Sequence, residues 1–183
     1  VDGWSFRDAA GSPAASALAA MEAAPEGRAL LVTTCDHALL SPAMVRGFLD
    51  EARKSDAAAA CVERAIYEAR FPGSKRTFIR LKDFSFSGAN LFWFAGARAK
   101  GLADFWRGLE ANRKNPLAMA RAIGVFTALS YLTGSMTKAG LEATIRKRTK
   151  VGARLIPLSA AEAAIDVDKP QDLDLVRKIL ALE

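Results

Sequence analysis

Residues 30–42, LLVTTCDHALLSP, constrain the fold of this chain more than any other stretch. Leu30, Leu31 and Val32 are apolar in succession, the pattern of a short strand covered by helices on both faces of a parallel sheet. The run stops at Asp36, and Ser41-Pro42 then offers a capping hydroxyl and a proline for the first helical position. Open α/β sheets gather ligands outside the carboxyl ends of their strands. The segment therefore predicts Asp36 at the rim of a crevice. A loop aspartate that merely faces water reads equally well from these residues alone, so the assignment depends on what the rest of the chain brings to it.

The remaining pattern supports an α/β reading. Ser12-Pro13 opens a helix through AASALAAMEAA, closed by Pro25 and Gly27. The helix from Pro42 places Met44, Val45, Phe48, Leu49 and Ala52 on one stripe, and AAAACV at 57–62 reads as a small-residue strand. Alternating helix and strand implies a parallel sheet with right-handed crossovers. Residues 63–75 read as a loop around Phe71-Pro72-Gly73-Ser74. RTFIRL and SGANLFWF read as two strands able to pair antiparallel. From 97 to about 149 the chain reads as helical, broken at Pro116 and Gly134, with Leu102, Phe105, Trp106 and Leu109 on one face. RLIPL and AIDV read as strands before a last helix beginning near Asp168-Lys169-Pro170, which buries Leu173, Val176 and Leu180. The expectation is a single domain over 1–183: a three-layer α/β/α sandwich on a mainly parallel, Rossmann-like sheet, with a small antiparallel pair and a helical insertion.

Composition narrows the function classes. At 183 residues and 51% hydrophobic content the chain can bury one sizeable core. No apolar run reaches the length of a membrane span, and no basic-then-apolar leader opens it, so a cytoplasmic protein without a membrane partner is expected. Cys35 and Cys61 lack metal-ligand spacing and read as small buried residues. The net charge of +6 invites a nucleic-acid reading. Its clustered part, Arg146, Lys147, Arg148 and Lys150, sits near a helix end where cations complement the dipole, and no aromatic-interleaved groove accompanies it. No nucleic-acid partner is expected.

A second acidic site lies in AIDVDKPQDL. Asp166 and Asp168, two apart on a strand, would share a face and could hold a divalent cation, since hard cations take carboxylate oxygens with phosphates and waters. If the segments ending at Asp36 and Asp168 converge, they form a two-sided magnesium clamp. Alternatively Asp168 only caps the last helix; Asp172 reads as a first-turn acid. His37 reads as an incidental exposed neighbour of Asp36. Ser87, Gly88, Ala89 and Asn90 read either as a hydrogen-bonding turn by a pocket or as a bulge with Asn90 left-handed. Asn112–Asn115 reads as a solvated helix end.

The order GSPAASALAAM, LLVTTCDHALLSP, SGANLFWF, AIDVDKPQDLDLV resembles the molybdenum-cofactor guanylyltransferase-like (MobA-like) NTP transferases, which share the nucleotide-diphospho-sugar transferase, GT-A-like fold. The resemblance implies magnesium ligands at Asp36 and Asp168, with Asp166 as a further one. It also implies nucleotide contacts at Gly11, Ser12 and Ser16, and an acceptor pocket at Ser87, Gly88, Ala89 and Asn90. The activity it implies is Mg2+-dependent transfer of a nucleoside monophosphate from a triphosphate, GTP or CTP, to a phosphorylated small molecule, with release of pyrophosphate. Ala38 stands where the family places proline. The family's N-terminal strand and glycine-rich phosphate loop are not found here, so the chain is expected to match from about the family's third strand onward. Unpaired sheet edges would then favour a homo-oligomer. A glycosyltransferase of the same broad fold, using a sugar nucleotide and the Asp166-Val-Asp168 spelling, and a non-enzymatic nucleotide-binding domain are the two other readings.

Overall fold

The computed structural model describes residues 6–25, 27–74, 76–112 and 115–181; Arg113 and Lys114 of the 112–115 stretch lie outside them. Helix α1 (Pro13–Ala23) is followed by β1 (Leu30–Thr33), α2 (Pro42–Ala52), β2 (Ala57–Glu63) and α3 (Arg64–Arg70). Then come β3 (Ile79–Arg80), β4 (Ser85–Phe94), a four-residue 3-10 turn and the helices α4 (Lys100–Ala111), α5 (Pro116–Ile123), α6 (Val125–Leu132) and α7 (Lys138–Thr149). The chain finishes with β5 (Ala153–Leu158), a second 3-10 turn (Ala161–Ala164) and α8 (Pro170–Leu180).

The sheet runs β1-β4-β2-β5, with β3 beside β4. Strand β2 pairs parallel with β5, whereas β4 is antiparallel to β1, β2 and β3. Four strands therefore point one way and β4 alone is reversed. The sheet is mainly parallel in direction as expected, but the antiparallel component is larger than one small pair, because β4 inserts between β1 and β2 rather than stopping at its hairpin with β3.

Alternate residues of β2 and β4 feed opposite faces, as the period of a strand requires. Ala58, Ala60, Val62, Ala89 and Leu91 enter a core with Phe48 of α2, Tyr67 of α3 and Val176 and Ile179 of α8. Ala57 and Phe94 meet Leu18 and Met21 of α1, with Phe92, Leu102 and Trp106 packed alongside. These are the three layers of the sandwich. The run of alanines in β2 keeps both faces low, so bulky side chains from the covering helices fill the space.

Several local expectations give way. Residues 64–70 form a helix, since Arg64 pairs with Glu68 one turn on and Tyr67 is buried. The AIDV segment is not a strand: 161–164 turn as 3-10 and 165–168 are irregular. Strand β1 lies at the edge of the described sheet, pairing with β4 on one side, so Leu31 is exposed instead of covered on both faces. Helix α8 buries Val176 and Ile179, leaving Leu173 and Leu180 exposed, because its contact face is rotated toward Leu175. Cys35 is exposed, in the turn after β1, while Cys61 is buried in β2. No helix among the described residues is long and apolar enough to cross a membrane.

Two outcomes test this packing. Phe48 is wholly buried between α2 and the sheet, so Phe48→Ala should lower the unfolding free energy by about 3–5 kcal/mol in urea titrations. Burial pushes the Cys61 thiol up to about 12, so a maleimide at neutral pH should label Cys35 in the native protein, and Cys61 only after denaturation.

Candidate active site

Strand β1 hands the chain to a tight turn at its carboxyl end. The Asp36 carbonyl accepts the Ala38 N–H at 3.0 Å, the Thr34 hydroxyl bonds to the Asp36 carboxylate, and Ser41 Oγ accepts the Met44 N–H at 3.3 Å to start α2. The same Asp36 carbonyl takes the Val167 N–H at 3.0 Å. That bond joins the turn after β1 to the irregular segment before α8, which are 131 positions apart in the chain. Its consequence is that oxygens of Asp36, Asp166 and Asp168 lie within 4.8 Å of one another.

Asp168 does not cap the last helix. The N-cap is Lys169, and the Asp172 carboxylate accepts the Lys169 N–H at 2.9 Å and the Asp168 N–H at 3.2 Å. Asp172 thus carries the capping load, as a helix-terminal acid does well, and leaves the Asp168 carboxylate to the cluster.

One cation is built into the site. The Arg76 guanidinium donates Nη1 to Asp166 Oδ1 and Nε to Ser87 Oγ, the latter at 2.9 Å. Two bonds from one planar fork hold it in place. With Thr77, Ser87, Asp166, Asp168 and Lys169 it lines a cleft of about 260 Å³. A neighbouring cleft of about 450 Å³ shares Arg76, Thr77 and Lys169 and adds Arg64 and Arg80. Arg64, Arg76, Arg80 and Lys169 outnumber the one carboxylate of this second cleft, Glu68, which pairs with Arg64. Arg76, Arg64 and Arg80 carried no distinguishing sequence signal; Arg64 is brought here as the first residue of α3, and Arg80 by the pairing of β3 with β4.

His37 is buried rather than exposed. Loss of solvation lowers its pKa, against the opposing influence of the Ala163 carbonyl and of Asp36 and Asp166. Nε2 has no hydrogen-bond partner among the described residues.

The other predicted residues divide. Ser87 is buried and bonded to Arg76 inside the cleft. Gly88 is exposed, Ala89 packs in the core, and Asn90 takes φ 43° where β4 bulges against β2. The bulge reading of this segment is thus present in the backbone. Gly11 has φ 77°, Ser12 Oγ accepts the Ala15 N–H at 3.2 Å, and Ser16 Oγ accepts the Ala10 N–H at 3.0 Å. Both serines spend these bonds on the start of α1.

An MobA-like NTP transferase domain matches residues 5–151. The chain belongs to that family. The match includes Asp36 and Arg76, whereas Asp166 and Asp168 lie beyond it and join the site through the fold. The chain is also similar to a solved structure from Thermus thermophilus, a hypothetical transferase, at 35% identity and a TM-score of 0.75, over 85% of this chain and 66% of that one. It therefore spans just under two thirds of that structure's length. Among curated proteins nothing matches.

The capping role is separable from the cluster. Asp172→Ala should cost about 1 kcal/mol of stability through two unaccepted N–H groups. Thermal melts should show the loss equally with and without divalent cation.

Proposed function

We propose that the chain is a nucleotidyltransferase, joining a nucleoside monophosphate to a phosphorylated small molecule. The observation that carries this reading is the meeting of Asp36, Asp166 and Asp168 within 4.8 Å beside a cationic cleft. Three carboxylates form an all-oxygen donor set of the kind magnesium takes, and Arg76 offsets only one of them. Asp36 and Asp168 would hold the ion, with Asp166 as a further ligand; when bound, it supplies charge neutralisation on the triphosphate.

The chain's own residues would orient the two phosphates. An acceptor phosphate is already anionic at neutral pH, so no general base is required. Its oxygen attacks the α-phosphorus in line, an O–P bond forms, and the α–β bridging bond breaks with its electrons leaving on pyrophosphate. Arg80 and Lys169, which form no ion pair among the described residues, suit the acceptor's phosphate by charge and placement, with Arg64 and Arg76 beside them paired to Glu68 and Asp166; Ser87 and Gly88 suit its polar body, and the Ala89–Asn90 bulge would shape that wall. Holding two anions together in line is the main catalytic task. Gly11, Ser12 and Ser16, at the start of α1, remain the proposed nucleotide contacts, with GTP or CTP as donor.

The test is pyrophosphate release from each of the four nucleoside triphosphates with magnesium and a panel of phosphorylated acceptors, using protein that carries any upstream sequence. Asp36→Ala should reduce release by about 10³-fold or more, removal of a metal ligand being severe. Retained activity in that variant would overturn the assignment.

A further inference from the structure

Helix α6 turns a row of apolar side chains to solvent. Val125, Phe126, Leu129 and Leu132 are 63%, 89%, 56% and 80% exposed, and positions 125, 129 and 132 share one helical face. Thr127 and Tyr131 turn the other way, onto the wall of an apolar cavity of about 320 Å³ completed by Phe105, Leu109 and Leu141. The hydroxyl-bearing side of the helix thus faces the protein and its apolar side faces water, the reverse of an ordinary surface helix. Single exposed apolar residues need no explanation, but four on one eight-residue helix do.

The charge around this row says what covers it. Between positions 115 and 150 the sequence has six lysines and arginines against one acid, Glu142, so this segment carries +5 of the chain's +6. Glu142 is turned inward, accepting the Leu155 N–H at 2.9 Å. Arg121, at the end of α5, and Arg146, Lys147 and Arg148, at the end of α7, are exposed and form no ion pair among the described residues. The Arg148 guanidinium lies against Gly124, the residue that opens α6, in the space a side chain there would fill. The cationic end of α7 and the apolar row are therefore adjacent.

We propose that this face docks on the surface of an anionic lipid bilayer, the apolar row entering the headgroup boundary while the flanking cations meet lipid phosphates. A second copy of the chain would set one +5 region against another, which like charges oppose. A nucleic acid would satisfy the cations and leave Phe126, Leu129 and Leu132 in water. An anionic bilayer satisfies both features at once. The expected absence of a membrane partner rested on the absence of a span, and an interfacial helix of eight residues is no span.

The experiment is vesicle flotation of the full chain with pure phosphatidylcholine and with mixed phosphatidylcholine–phosphatidylglycerol. Binding should appear on the anionic vesicles, weaken with salt, and fall roughly tenfold or more in Phe126→Ser/Leu129→Ser/Leu132→Ser and in Arg121→Gln/Lys147→Gln/Arg148→Gln. All these positions are exposed, and unchanged circular dichroism would establish that the variants fold. Phe126→Trp should shift its emission to the blue on anionic vesicles. No enrichment on anionic vesicles, or full binding by the serine variant, overturns the proposal. So does an α6-dependent dimer in light scattering that leaves vesicles unbound, and so does duplex DNA binding that survives the serine changes without vesicle binding.

Discussion

The reversed strand β4 is the constraint on which the rest of this structure depends. It pairs with β1, β2 and β3 and sends side chains into both cores. Because it runs against its neighbours, its first half lies at the edge where β1, β2 and β5 end. The register makes this concrete: Ser87 stands opposite Val62 at the end of β2, and Val62 stands opposite Leu158 at the end of β5. Ser87 thereby reaches the rim that holds Asp36, and Arg76 can span from Ser87 to Asp166. Were β4 parallel, its carboxyl end, not Ser87, would occupy that edge.

The electrostatics of the site follow from this placement. Three carboxylates together repel one another, and the fold compensates one with Arg76 while Asp172, not Asp168, takes the capping bonds of α8. The cluster thus sets three carboxylates against one paired cation, and the adjoining cleft sets four cations against Glu68. The proposed chemistry between two phosphates would draw on this arrangement, since positioning and charge neutralisation outweigh covalent work there. The second concentration of positive charge, around α5 to α7, is elsewhere in the chain and adjoins an apolar row instead of carboxylates. The company each cationic group keeps, more than the overall charge, separates the two surfaces.

Much of this was legible from residue order. Ser41-Pro42 and Ser12-Pro13 announce helix starts through local capping chemistry that needs no tertiary context, and both caps form. Asp36 after a short apolar run, and the paired acids near the last helix, are the acids that the fold brings together. Legibility failed where a pattern had two local solutions. The AIDV segment has the composition of a strand, yet its Ala164 closes the 3-10 turn of 161–164 and β5 is paired with β2, so 165–168 bend toward Asp36 instead. The 63–75 stretch looked irregular because its turn signal at Phe71–Ser74 outweighs a two-turn helix whose stability comes from burying Tyr67. Arg76 could not be singled out, since an arginine's role depends on which carboxylate it meets.

Sequence by itself determined the α/β class, the helix starts, the breaks in the insertion at Pro116 and Gly134, and the acids at issue, because capping, proline geometry and hydrophobic period act over a few residues. Tertiary structure decided which acids meet, which cation compensates them, and which apolar helix remains uncovered. Those outcomes depend on strand order and on contacts such as the Val167–Asp36 backbone bond. A local pattern can make a residue available; only chain closure over long separations brings its partner within reach.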